Sequence, residues 1–434
     1  MTPIEIIGAL VNKNRTWVSQ DLQDCIDVLG QEIPLTVHRY PSGSEYGTWN
    51  IPDEWNVIKA ELTDGERVLA SYADHPLFLA PYSCAFTGWV GREELMAHVE
   101  TAPNTPDAFS YAYRLSSDYR RRLKEWIITL PHNMALELDQ SQYFVDIQVE
   151  TKPGNMLVGE STLQGRDNYT FAFLTHLCHP GQANDGLAGV AVGVEVMKRL
   201  KQEFPESNHS YQLLIMPETV GSSVYLADND HLIESYLGSV FIEMPGIRSP
   251  LSLKLTRRGN TYLDRVLNHA ITERGSDFTT CGFREPWGND ECVFDSAGVG
   301  IPGASIQRYP FQWYHTSGDN LDITDEACLE EVIDILVDAV RVMESDFIPV
   351  PRQKVPVYLT RYDLYADAEN DRVEHDINLG VTDLLWSGMS AFDIANRLGA
   401  PYQRVQKYLT RYLELGLIDA GPITPDYFRQ ALDN

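Results

Sequence analysis

Histidines, carboxylates and one cysteine recur just where apolar runs stop. Thr175-His176-Leu177-Cys178-His179 closes the run 169–176, Asn184-Asp185 opens the helical pattern after it, Glu218 ends the run 211–218, and Glu243 ends 239–244. Gly288-Asn289-Asp290-Glu291 and Trp313-Tyr314-His315-Thr316-Ser317-Gly318-Asp319 follow further on. Imidazole nitrogen and carboxylate oxygen are the donors zinc takes, with an open position left for water in a catalytic site. Singly, each residue has an ordinary explanation: a hydrogen-bonded histidine, an Asp as N-cap, a solvated Glu. Their return to successive strand ends is what points to one site.

The elements that would position them read as strand–helix–strand. YTFAFLTH (169–176), YQLLIMPE (211–218) and SVFIEM (239–244) are continuous apolar runs of strand length; LAGVAVGVEVMKRLKQEF (187–204) and GSSVYLADNDHLIESYL (221–237) have helical spacing. Runs apolar on both faces that alternate with amphipathic helices predict a parallel sheet covered by helices, whose strand ends converge on one crevice. A helix over 325–347 closes this domain. Within the first strand's continuation, His176 and Cys178 share a face and His179 lies opposite, unless the strand stops there.

Two other textures flank this α/β pattern. From Ser42 to Pro131, Trp49, Trp55, Tyr72, Tyr82, Trp89, Tyr111, Tyr113 and Tyr119 crowd a stretch of short segments and turn signals, which predicts an inserted α+β unit with an aromatic core. Prolines 349, 351 and 356 mark a linker, and residues 389–418 read helix, glycine turn, helix. In that last unit Ala395, Gly399 and Val405 stand at helix-turn-helix spacing, Leu409, Leu413 and Leu417 continue an apolar face, and Arg404, Lys407 and Arg411 offer either phosphate contacts or a solvated face.

The order of motifs resembles the co-catalytic zinc aminopeptidases of the glutamate-carboxypeptidase-like group. Their pattern is a strand-end His, then G-A-x-D-x-x-S-G, Glu-Glu, Asp-Met-x-Gly and a late Y-H-T-x-x-D. This chain has GQANDGLAG (181–189), PETVGS (217–222), EMPG (243–246) and WYHTSGD (313–319), with Asp290 ahead of Gly300-Ile301-Pro302. The whole layout is similar to a bacterial three-domain subgroup, on the segments PSGSEYGTWNIPDEWNV, CHP…AND and PETVGS. That resemblance implies an α/β fold, a zinc-exopeptidase-like mixed sheet flanked by helices over residues 1–41 and 132–348. It further implies an inserted small α+β domain (42–131), a linker (349–375) and a C-terminal winged helix-turn-helix (376–434). It links the chain to cell-surface polysaccharide biosynthesis.

Carried over by residue, the resemblance implies one or two Zn²⁺ ions held by His179, Asp185, Glu243 and His315, with His176 as the alternate to His179. Asp185 would be the bridging carboxylate. Glu218 would be the general base, drawing a proton from metal-bound water as it attacks an amide carbonyl. Two positions depart from the pattern: Cys178 stands where His-x-Asp has its carboxylate, and Thr219 stands where Glu-Glu has its second acid, a ligand of the second metal. Cys178 reads as a small buried apolar residue. Asp290 and Glu291 are candidates to bind a substrate ammonium, or to cap and ion-pair.

Composition bounds the remaining choices. The 434 residues hold 34 Lys plus Arg against 62 Asp plus Glu, a formal charge of −28 that disfavours nucleic acid and anionic membranes. Six scattered cysteines, no leader pattern and no long apolar stretch predict a cytoplasmic chain with reduced thiols. The leading expectation is a zinc-dependent amide hydrolase of aminopeptidase type acting on a short peptide or an acylated amino-sugar. The alternative is a non-catalytic protein that keeps the fold in polysaccharide biosynthesis and uses its last domain for interaction. Self-association is left open.

Overall fold

A computed structural model describes residues 1–112 and 125–431. The strands are β1 (Thr36–Pro41), β2 (Glu45–Tyr46), β3 (Trp49–Asn50), β4 (Glu54–Thr63), β5 (Val68–Ser71), β6 (Phe86–Gly91), β7 (Val99–Glu100), β8 (Ile128–Thr129) and β9 (Gln142–Lys152). They continue with β10 (Asn155–Leu163), β11 (Thr170–His176), β12 (Ser210–Met216), β13 (Tyr236–Glu243), β14 (Leu251–Lys254), β15 (Phe278–Cys281), β16 (Gly303–Arg308), β17 (Ile348–Pro351) and β18 (Ile418–Gly421). The chain forms two compact units, 1–337 with 431–434, and 338–430.

Eight strands of the first unit make one mixed sheet in the order β1-β10-β12-β11-β13-β16-β14-β15. Its centre, β12-β11-β13-β16, is parallel, and the flanking pairs β10–β12 and β14–β16 are antiparallel. Every residue of β12 and β13 is buried, as expected of central strands covered on both faces. The chain steps from β11 outward to β12 on one side and returns to β13 on the other. The carboxyl ends of β11 and its two neighbours therefore open onto a topological switch point, the usual ligand crevice of such sheets. The parallel strands expected from the apolar runs form the centre of the sheet, and the mixed α/β sheet that the resemblance implies is the one observed.

The inserted part has its own four-stranded antiparallel sheet, β5-β4-β9-β6. Here β9, residues 142–152, pairs along most of β4 and also with β6, so the small sheet extends well past residue 131. The chain leaves the large sheet after β1 and re-enters it at β10, across the turn at Pro153-Gly154. Hydrophobic alternation reads the same whichever sheet a strand joins, so the sequence pattern could not place that exit. The two sheets share one core, in which Trp55, Leu62, Val145 and Ile147 pack with Met156, Ala172, Leu174 and Met216. Trp55 and Tyr82 stack inside it, whereas Trp89 is 51% exposed. Tyr113 and Tyr119 lie outside the described residues.

The second unit contains the helices Arg372–Leu384, Ala391–Leu398 and Tyr402–Glu414 and the antiparallel pair β17–β18. Gly399 ends the middle helix in the left-handed conformation, φ 60°, its N–H returning to Ala395 and Asn396. Ala395, Val405 and Leu409 are buried, and Tyr412, rather than Leu413, takes the next buried position. Arg404 and Arg411 each face a carboxylate, Glu374 and Glu414. Because β17 pairs with β18, residues 348–351 belong to this unit's own sheet.

Candidate metal centre

β11 stops at His176, and the backbone then turns through Leu177–Gln182, so residues 177–179 no longer alternate across a sheet. His179 thereby swings into the same crevice as His176, the ring centroids 4.8 Å apart. The turn is held by Arg15, a fully buried guanidinium that donates to the carbonyls of His179 and Gln182. Asp185 follows in a π-type turn closed by the Ala188 N–H on the Ala183 carbonyl. Asp319 accepts the N–H of both Asn184 (2.8 Å) and Asp185 (2.8 Å) and so fixes this turn from the far end of the Trp313–Asp319 segment. Gly186 is required here: its φ is +89°, and a Cβ would sit 2.6 Å from the His176 carbonyl oxygen.

Four donor groups, from His176, His179, Glu243 and His315, converge around Asp185. His176 Nε2 lies 3.4 Å from Asp185 Oδ1 and 3.6 Å from Glu243 Oε2. His315 Nε2 lies 3.1 Å from Asp185 Oδ2, and His179 Nε2 lies 3.4 Å from Glu218 Oε2. Two triples of donor atoms, His176–Asp185–Glu243 and His179–Asp185–His315, each fall within 4.8 Å, and Asp185 is common to both. All the candidate ligands named from sequence are thus in one place, and both histidines of the His176/His179 alternative belong to it.

Charge and burial fit a cation. His176 Nε2, Asp185 Oδ2 and Glu243 Oε1 are buried without a hydrogen-bond partner, although buried polar atoms are almost always satisfied. Burial alone would raise Asp185, but His179, His315 and His176 outweigh it and hold this carboxyl well below the usual range. Burial lowers His179 well below the usual imidazole value, while at His176 the Cys178 and Glu243 contacts outweigh burial and raise it. Asn289 Nδ2 donates to Glu243 Oε2 (2.9 Å) and so restrains that carboxylate.

Glu218 leaves β12 through a three-residue turn in which the Val220 N–H bonds the Glu218 carbonyl (2.6 Å) and Thr219 adopts φ 63°, ψ −49°. This γ-turn is strained for a β-branched residue. Asp290 Oδ1 holds it by accepting the Thr219 N–H (2.8 Å) and the Ser222 hydroxyl (2.5 Å). Burial pushes Glu218 up to about 8, with the charges of Asp185, Asp290 and Glu243 adding and His176 opposing. Burial likewise lifts Asp290 to about 6.

The ammonium-binding role that the sequence suggests for Asp290 and Glu291 meets a different environment. Both are wholly buried, Asp290 under the Thr219 turn and Glu291 in an ion pair with Lys254 Nζ (2.8 Å), itself buried. Sequence reasoning missed Arg15, which acts through backbone carbonyls and carries no motif of its own, and it gave no role to Asp319 or Asn289, although both stand inside segments it singled out. It also missed Tyr111. From the inserted part, this ring packs edge-on to both His179 and His315 at 5.1 Å, and its N–H bonds the His315 carbonyl. Beyond His315, Tyr314 stacks on its ring at 3.8 Å, followed by Trp287 and Phe311. Trp287 is 42% exposed at this outer edge.

The family described as "Domain of unknown function (DUF4910)" matches residues 4–346. The chain belongs to that family. It is similar to a Clostridium acetobutylicum protein whose name provisionally assigns it to polysaccharide biosynthesis, with an aminopeptidase-like domain. The two are 28% identical over 336 residues, 76% of this chain and 75% of the other. The crystal structure of a provisionally named peptidase from Clostridium acetobutylicum superposes with a TM-score of 0.83 at 23% identity, covering 96% of both chains. The zinc aminopeptidase of Bacillus subtilis gives a TM-score of 0.57 at 14% identity over 78% of this chain and 93% of that one. The DUF4910 chain therefore has the zinc-aminopeptidase fold. Among its described residues no helix is long and apolar enough to cross a membrane.

Proposed function

We propose that this protein is a zinc-dependent amide hydrolase in which Glu218 is the general base. The observation that carries the reading is Asp185, shared by two donor triples with the Glu218 carboxylate beside them. His176, Asp185 and Glu243 would hold one ion, and Asp185, His315 and His179 a second, so that His179 takes the place Thr219 vacates. Zinc bound there supplies Lewis acidity to a substrate carbonyl and acidifies water.

The chain's own residues do the rest. Glu218 accepts a proton from the attacking water and returns it to the leaving nitrogen. The Thr219 turn and Asp290 aim it. The aromatic edge of Trp287, Tyr314 and Phe311 would receive the apolar face of a short peptide or acylated amino-sugar, and Tyr111 would narrow the entrance against folded protein.

Two measurements test this. Elemental mass spectrometry should find zinc on protein purified without chelator or a His tag. Glu218→Gln should abolish hydrolysis across a panel of aminoacyl anilides and N-acetylated amino-sugars while leaving zinc bound. Retained turnover removes Glu218 from the mechanism, and absence of zinc even after it is supplied overturns the reading. A second reading, a non-catalytic aminopeptidase-fold protein in cell-surface polysaccharide biosynthesis, is favoured by Thr219 at a ligand position and by the Clostridium relative's name. Zinc-free protein with no turnover on the same panel would establish it.

A further inference from the structure

We propose that Cys178 is a positioning residue whose single sulfur aligns both His176 and His179 for the metal centre and ties the Glu218 backbone to the same point. This rests on the metal-centre reading above. Cys178 Sγ lies 3.5 Å from His179 Nδ1 and 4.0 Å from His176 Nδ1, and it accepts the Glu218 N–H at 3.1 Å. The opposite nitrogens of the two rings face carboxylates: His176 Nε2 toward Asp185 and Glu243, His179 Nε2 toward Glu218. Each imidazole is therefore held by one edge on sulfur while it presents the other to the crevice. An imidazole that ligates through Nε2 carries its proton on Nδ1, and the partner of that proton sets ring orientation and basicity. Metal-binding histidines usually give that proton to a carboxylate or a carbonyl; here one sulfur receives it from two rings.

Two simpler accounts fit less well. Plain packing does not explain three nitrogens converging on one buried sulfur, which is 2% exposed. Direct ligation has some geometric support, since one donor atom from each of His176, Cys178, His179 and Glu218 also falls within 4.8 Å. Ligation alongside Sγ would draw on the Nδ1 edges, however, and would leave the buried His176 Nε2 without a partner between Asp185 and Glu243.

The experiment uses the full chain as wild type, Cys178→Ala and Cys178→Ser, with zinc and cobalt as probes. Zinc affinity is read by competition with a chromophoric chelator, and cobalt coordination by absorption. The wild-type cobalt protein should show visible ligand-field bands without an intense near-ultraviolet sulfur-to-cobalt band. Cys178→Ala should weaken zinc about 10- to 100-fold, the range for losing a partner behind a ligand. Cys178→Ser, which can accept the same N–H groups, should recover most of that loss. Melting curves under chelator that match wild type would exclude misfolding as the cause. An intense sulfur-to-cobalt band, or unchanged zinc affinity in Cys178→Ala, overturns the proposal and leaves the hydrolase reading standing. Wild-type protein that binds neither metal overturns both.

Discussion

Replacing Glu218 with Gln should stabilise the metal-free protein, by an amount that grows with pH. Burial lifts this carboxyl from an ordinary 4.5 to about 8, and its side chain is only 19% exposed, so solvent screens the effect little. Between those two values the folded chain keeps a proton that the unfolded chain has released. The native state then binds more protons than the unfolded one, and stability falls as pH rises, by about 1.4 kcal/mol per pH unit. The Glu218 penalty is near zero at pH 4.5, about 3 kcal/mol at pH 7, and levels off at about 5 kcal/mol above pH 8. Gln has the same shape and does not titrate, and the other buried acids are present in both proteins. Urea unfolding followed by tryptophan fluorescence at pH 5, 6, 7 and 8, in chelator, gives the difference directly. Curves that separate progressively in favour of Glu218→Gln agree with the argument. A gap independent of pH, or a variant less stable than wild type at pH 8, refutes it and means that Glu218 folds as a comfortable carboxylate.

Gly186→Ala should cost about 2–4 kcal/mol, strain at φ +89° added to a Cβ pressed on His176, and should weaken zinc binding with it; melting and chelator competition check both. Lys254→Met strands the buried Glu291 carboxylate and should cost about 3–5 kcal/mol, most of it recovered in the double variant Lys254→Met, Glu291→Leu. Equal losses in single and double variants would show that the charge is not the cause. Thr219→Gly should be neutral within about 1 kcal/mol or stabilising, because release of a γ-turn strain of ~1–3 kcal/mol offsets the entropic cost of glycine. A loss beyond 2 kcal/mol on melting, about twice that entropic cost, would show that the turn is unstrained.

The amino-acid sequence by itself determined the parallel core and the crevice at its strand ends. An apolar run bounded by turn residues is a local signal, and parallel strands must bring their carboxyl ends to one edge, so Glu218 and Glu243 could be placed together with no knowledge of loops, and Asp185 joined them as the start of the helix after β11. The motif Trp313–Asp319 brought His315 to the same place through resemblance. What the tertiary structure alone decided lies where the chain leaves regular structure or where distant segments meet. His179 joins His176 because β11 ends at residue 176 and Arg15, far away in the chain, holds the turn that follows. Cys178 acquires three nitrogen neighbours for the same reason. Asp290 turns inward to brace Thr219, and Glu291, in a short helix, pairs with Lys254 at the end of β14, contacts that no spacing encodes. The inserted sheet recruits β9 because strand pairing is chosen by which edge lies nearest in space, and alternation along the chain carries no record of that edge.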